Sequence, residues 1–224
     1  MGTLTEDLAA KFLGGSNLAH FGFTGGTGAI GNTQQVRLLN VVGTFVDNTR
    51  TAVASGHDAA DPDADCTFEL DHLDECATFS GGARYDSLSK IATLTSKEQW
   101  KVGAMMSDVR LNVQQNFTID FDAFFGTADN NGDGLAFVLH NDPLGARTIG
   151  TGADGIGLNG IRNGLAIEFD TWNNGAAVGD IPNDHTRFID TDARMGAGRQ
   201  ITGAVDLGNI EDGYWHNVKV TWNA

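Results

Sequence analysis

Glu168, Asp170, Asn174, Asp180 and His185 form the densest set of oxygen and nitrogen ligands in the chain, five within 18 residues. Glu168 and Asp170 stand two apart in an apolar run, Leu165 to Phe169, that reads as a strand. Side chains two apart on a strand leave the same face, so both carboxylates project together while Ile167 and Phe169 point the other way. Two such carboxylates repel each other strongly at low effective dielectric unless a proton or a cation intervenes. A divalent cation answers that need. Carboxylates with an amide and a backbone carbonyl make a hard oxygen site for calcium, and one added imidazole suits a transition ion such as manganese. Taken singly, each residue also reads as an ordinary solvated turn residue; the ordered set favours a metal.

Two other acidic stretches fit a calcium loop less well. Asp58, Asp61, Asp63 and Asp65 crowd together, but no glycine follows and His72 stands where a twelve-residue loop ends. Asp129-Asn130-Asn131-Gly132-Asp133-Gly134 matches the first six positions of such a loop, yet the twelfth is His140 and the flanks read as strands. Nucleophile sites built on Ser, Lys or Cys are not apparent. The remaining histidines, at 20, 57, 72, 140 and 216, read as surface or strand-packing residues.

The elements that must position these groups are mostly strands. Thr3 to Phe12 reads as a short helix: Thr3 and Glu6 have capping-box spacing, Leu4, Leu8 and Phe12 share a face, and Gly14-Gly15 stops it. Short β-prone runs follow at Phe21 to Phe23, Gln35 to Leu39 and Val41 to Val46. Residues 47–86 read as an Asp-rich insertion holding both cysteines. Further strand candidates are Ile91 to Thr95, Val109 to Val113 and the alternation of Phe117, Ile119, Phe121, Ala123 and Phe125. Leu135 to Leu139 and Leu165 to Phe169 are nearly continuous apolar runs, the mark of strands covered on both sides. His216, Val218, Val220 and Trp222 alternate with polar residues close to Ala224. Many short strands and little helix predict an all-β antiparallel sandwich of jelly-roll type, with residues 1–16 as helix and linker and 17–224 as the sandwich.

With 224 residues there is ample material for one core, and a formal charge of −15 sets limits on partners. Fourteen Lys and Arg face 29 Asp and Glu with no basic run, which excludes nucleic acid and disfavours anionic membrane surfaces. No stretch reaches the roughly 18 apolar residues of a membrane span. Met1 to Gly15 carries Glu6, Asp7 and Lys11 and lacks the apolar run of a signal peptide. Cys66 and Cys76 are spaced to close one short disulfide loop; two reduced thiols are the alternative.

The stretch Glu168-Phe169-Asp170-Thr171-Trp172-Asn173-Asn174, with Asp180 and His185, resembles the metal-binding segment of the L-type, legume-like lectins. Asn131-Gly132-Asp133-Gly134-Leu135-Ala136-Phe137 is similar to the strand of that family whose Asp holds the sugar, and Phe117 to Phe121 and Trp215 to Trp222 resemble two further family strands. The resemblance runs over about residues 87 to 224. It implies a concanavalin A-like sandwich of bacterial type that binds carbohydrate through calcium, as a module of an extracellular adhesin or cell-surface protein, and that binds rather than catalyses.

Carried over by residue, the resemblance assigns Glu168, Asp170, Asp180 and His185 to a second divalent ion, manganese or calcium. It assigns Asp170, Asn174, Asp180 and the Trp172 carbonyl to calcium. Asp133 and Asn174 would hydrogen-bond a glycan, Trp172 would offer its ring, and a backbone N–H of the Gly150 to Gly157 loop, at Gly152 or Gly155, would complete the site. A cis peptide is implied at Gly132–Asp133. Asp180 follows Asn174 by six positions, one more than in some relatives, and the family continues past the strand at Trp215. Another chain or segment is therefore expected to complete the sandwich after Ala224. Two rivals share the fold. Laminarinase-like hydrolases need a second carboxyl about 5.5 Å from the first, and positions 172 and 173 here are Trp and Asn. A filament or adhesin subunit that no longer binds sugar is the other rival.

Overall fold

The computed structural model describes residues 3–46, 70, 73–193 and 199–224. Its strands, in chain order, are β1 (Leu18–Gly26), β2 (Gln34–Val42), β3 (Phe45–Val46), β4 (Ala77–Gly81), β5 (Arg84–Asp86), β6 (Ile91–Thr95) and β7 (Val102–Ser107). They continue with β8 (Arg110–Asn112), β9 (Phe117–Phe124), β10 (Gly134–His140), β11 (Gly164–Asp170), β12 (Asp184–Asp190), β13 (Val205–Gly208) and β14 (Trp215–Trp222). They pair antiparallel in two sheets. One has the order β13-β12-β11-β10-β1-β7-β4, with β8 attached to β1 and β3 to β8; the other runs β14-β9-β2-β6-β5. The protein is an all-β antiparallel sandwich, as its alternating apolar patterns predict.

The core lies where the sheets face each other. Phe117, Ile119, Phe121 and Ala123 of β9 are buried while the residues between them are only partly covered, so the period-two reading holds along the whole strand. Phe121 meets Phe23 edge-on at 4.7 Å and stacks near Phe137 at 6.2 Å, joining the two sheets through aromatic rings. Each such ring contributes about 1.5–3 kcal/mol by leaving water. The outer face of the larger sheet is covered as well: Ala136, Val138 and Ala166 pack against Ile156, Leu158 and Ile161 of the loop between β10 and β11. That cover explains why β10 is apolar on both faces.

Several expectations need correction. The first helix, α1, is Leu8–Phe12, not Thr3 to Phe12: Asp7 is its cap, accepting a hydrogen bond from the Ala10 N–H at 3.0 Å. Gly14 and Gly15 end it with φ of 62° and 71°. The last part of the stretch read as an insertion carries regular structure. A short helix, α2 (Leu73–Cys76), leads into β4 and β5, which form one edge of each sheet against β7 and β6. Cys76 is disulfide-bonded, whereas Cys66 and the acidic stretch at 58 to 65 lie outside the described residues. β14 is an outer strand of its sheet, paired with β9 and anchored by the Trp222 indole N–H, which donates to the Val113 carbonyl at 2.8 Å. His140 is buried and stacks on His20 at 5.4 Å, a strand-packing role.

Candidate functional site

β11 and β12 lie side by side, with Asp170 opposite His185 and Glu168 opposite Arg187. Phe169 belongs to the core between the sheets and Ile167 packs against it, so the alternate residues Ala166, Glu168 and Asp170 face the other way. The turn after β11 then brings Asp180 back to this face. Asp170, Asp180 and His185 are all buried, and one ligand atom from each lies within 4.8 Å of the others.

Each carboxylate of this cluster divides its labour. Asp170 Oδ1 accepts the Trp172 N–H at 2.9 Å and Asp180 Oδ2 accepts the Asn174 N–H at 2.8 Å, which ties both to the loop backbone. Their other oxygens face His185 Nε2, at 3.9 Å from Asp170 Oδ2 and 3.6 Å from Asp180 Oδ1. Those separations are too long for hydrogen bonds, and Nε2 is a buried nitrogen with no partner. His185 Nδ1 sits 3.2 Å from the Asn183 carbonyl; carrying its proton there, the ring presents the Nε2 lone pair to the carboxylates. Burial first, and then the charge of Glu168, push the Asp170 carboxyl well above its ordinary range. Asp170 Oδ2, the imidazole nitrogen without a hydrogen-bond partner and Asp180 Oδ1, which Arg187 also reaches, converge on one point and could share one cation. A cavity of about 30 Å³ borders Asp170 and Asp180, lined also by Asn174, Asp154 and Gln200.

Glu168 reaches the same place but does not face that point. Arg187 Nε holds one of its oxygens at 2.7 Å and Arg199 Nη2 the other at 2.8 Å. Arg187 also donates from Nη2 to Asp180 Oδ1 at 2.9 Å and from Nη1 to the Gly179 carbonyl at 3.2 Å. Neither arginine figures among the residues singled out from sequence. Arg187 is reachable by the strand period, two residues past His185, whereas Arg199 has no local signal in the sequence.

Asp133 lies just before β10, at a peptide bond that is cis between Gly132 and Asp133, as the resemblance implies. The two loops are stitched together. Thr171 N–H donates to the Asp133 carbonyl at 3.0 Å and Thr171 Oγ1 to the Asn131 carbonyl at 3.2 Å. Gly132 packs so closely on Trp172 that a methyl group there would stand 2.6 Å from the Trp172 Cβ. Asp133 is only 5% exposed, and its Oδ2 has no protein partner. Burial, aided by the charge of Asp154, pushes its carboxyl up to about 6. Asn174 is exposed and Trp172 half-buried at the mouth of this region.

The glycine loop contributes unevenly. Gly155 is buried and its N–H is spent on the Gly152 carbonyl at 3.1 Å, so it has no donor left to offer a ligand. Gly152 is half-buried against the Lys101 carbonyl. A further support was not legible in advance. Buried Glu211 accepts from Asn32 Nδ2 at 2.7 Å, and the same amide donates to the Ala128 carbonyl at 3.0 Å, pinning the stretch that leads to Asp133. Burial, with the charges of Asp184 and Asp129 added, raises the Glu211 carboxyl to about 8 against the pull of Asn32.

A two-sheet antiparallel sandwich with a buried Asp–Asp–His cluster beside a nearly buried, unpartnered carboxylate oxygen defines the class of the protein, an all-β sandwich domain. Residues 68–224 match the legume lectin beta-barrel domain family, and the chain belongs to that family of L-type lectin domains. The chain is 28% identical over 164 residues to the pesticidal crystal protein Cry22Aa of Bacillus thuringiensis, which covers 65% of this chain and 22% of that protein. It is 30% identical over 114 residues to the serine-rich adhesin for platelets of Staphylococcus aureus strain MRSA252, covering 48% of this chain and 8% of the adhesin. The chain thus spans a small part of the relatives it matches. Among the described residues no helix is long and apolar enough to cross a membrane.

Proposed function

We propose that this domain is a calcium-dependent carbohydrate-binding module of an extracellular surface protein. The observation that carries the reading is Asp133: a nearly buried carboxylate whose Oδ2 lacks a protein partner, held against the loop that the Asp170–Asp180–His185 cluster shapes. A sugar supplies the vicinal hydroxyl donors such an oxygen lacks, and hydrogen bonds to a charged group are worth about 1.5–3 kcal/mol each.

Asp170, Asp180 and the Trp172 carbonyl, with Asn174, are the residues that would hold calcium; when bound, it neutralises the carboxylates and fixes the loop. The chain does the rest. Asn174 lies on the exposed rim, where its amide can donate to a hydroxyl, and the Trp172 ring offers an apolar face to sugar C–H groups. Gly152 is the better placed of the two glycines to offer a backbone N–H. Membership in the lectin family and the relation to an adhesin support both a glycan partner and a surface location.

Hydrolysis is the reading this arrangement favours least. The strand carboxylate in the nucleophile's position, Glu168, is held between two arginines. A glycan array probed with calcium and again with chelator tests the proposal. Binding that disappears with chelator, and with Asp133→Asn, is expected; undiminished binding in both would refute it.

A further inference from the structure

The family resemblance implies two divalent ions, yet the side chains around Glu168 leave room for only one to be held. Of the two ligands that belong to the second ion alone, Glu168 and His185, Glu168 has both of its oxygens taken by guanidinium groups at 2.7 and 2.8 Å. Arg187 reaches further, to 2.9 Å from Asp180 Oδ1 and 3.8 Å from Asp170 Oδ2, the same two oxygens that face His185. It is placed there by strand register, directly across from Glu168.

We propose that Arg187 and Arg199 occupy the role of the second divalent ion, so that this domain loads one metal ion per chain instead of two. The inference rests on the cation-site reading given above and narrows it.

Charge arithmetic supports the substitution. Glu168, Asp170 and Asp180 carry three negative charges. Two divalent ions on these carboxylates leave one net positive charge. Two guanidinium groups and a single divalent ion leave that same net charge, because the pair of arginines carries the charge of one such ion. A second ion would leave the cluster with three positive charges in a pocket where Arg187 and Arg199 are 7% and 5% exposed and water screens little. Arginine does not give up its proton in a protein, so the exclusion holds at any working pH. Geometry adds to charge: the fork of Arg187 engages Glu168 and Asp180 together, which is the bridging duty an ion between them would perform. One flank of the loop is therefore braced permanently by the chain itself, and only the flank bearing Trp172 and Asn174 depends on metal.

The test is the metal content of the whole domain. The protein is dialysed against calcium and manganese together, and the ions per chain are read by elemental analysis and native mass spectrometry. One ion per chain is expected. Two ions would overturn the arginine inference while leaving the cation site intact, whereas none would overturn both. The double variant Arg187→Gln/Arg199→Gln, checked for folding by circular dichroism, is expected to rise from one ion to two. A folded variant that stays at one ion would also overturn the inference. Should the variant fail to fold, the wild-type count decides alone.

Discussion

Replacing Gly28 by alanine separates glycan binding from every other property of the domain. A methyl group at this position would stand 2.9 Å from Asp133 Oδ2 and 3.4 Å from Oδ1, with the nearest oxygen a few tenths of an ångström inside ordinary contact. The carboxylate must turn away, because its backbone is pinned from both sides: the Asp133 N–H donates to the Gly26 carbonyl at 2.9 Å and its carbonyl accepts from Thr171. Turning misdirects the oxygen that has no protein partner, and the methyl shields what remains. Losing one or two charge-assisted hydrogen bonds costs about 1.5–3 kcal/mol each, so glycan affinity is expected to fall by between about tenfold and roughly 20,000-fold. Gly28 does not need a left-handed backbone, and none of the cluster residues Asp170, Asp180 and His185 is among its near neighbours, so folding and calcium affinity should hold. Calorimetry with the strongest array glycan, and separately with calcium, reads both quantities. Unchanged glycan affinity in a folded, calcium-competent variant would refute the placement of the sugar against Asp133.

Asp170→Ala is expected to abolish calcium and glycan binding together, while Asp133→Ala spares calcium; paired calorimetric titrations distinguish the two. Glycan affinity should weaken as pH falls through about 6, by up to about tenfold per unit below it, because a protonated Asp133 cannot accept from two hydroxyls; affinity measured from pH 8 to 4.5 checks this. Glu211 makes the opposite kind of demand on stability. Its carboxyl is raised from 4.5 to about 8 on folding, so the folded state holds a proton the unfolded chain releases, and stability falls as pH rises from about 4.5 to about 8. The slope is at most about 1.4 kcal/mol per unit. Urea melts at pH 5, 6.5 and 8 should show that slope in the wild type and a flatter one in Glu211→Gln; parallel slopes would count against the assignment.

The sandwich and the shared face of Glu168 and Asp170 were legible because both rest on the strand period. Phe117 to Phe125 alternates cleanly, and counting by two from Glu168 places Asp170 on the same face without any tertiary knowledge. β7 escaped that reading because Val-Gly-Ala-Met-Met-Ser has little β-branched character; it is a strand because β1 and β4 flank it. β12 escaped for a different reason. Its buried positions include His185 and Arg187, so an inward face made of charge network reads as a polar loop. The helix start was misplaced because Thr3 and Glu6 have the spacing of a capping box while Asp7, nearer the apolar run, makes the actual cap. Arg199 and Glu211 could not be found from sequence, since each acts through partners more than thirty residues away: Glu168 for the first and Asn32 for the second.

Calcium affinity measured with and without a saturating glycan bears most directly on the claim that a cation-shaped loop presents Asp133 and Asn174 to sugar. Linkage requires reciprocity: whatever factor calcium contributes to glycan affinity, the glycan must return to calcium. The domain should therefore bind calcium more tightly in the presence of its strongest array glycan, and by the same factor that chelation weakens the glycan. A calcium affinity indifferent to the glycan, with the glycan bound equally well in chelator, would contradict it.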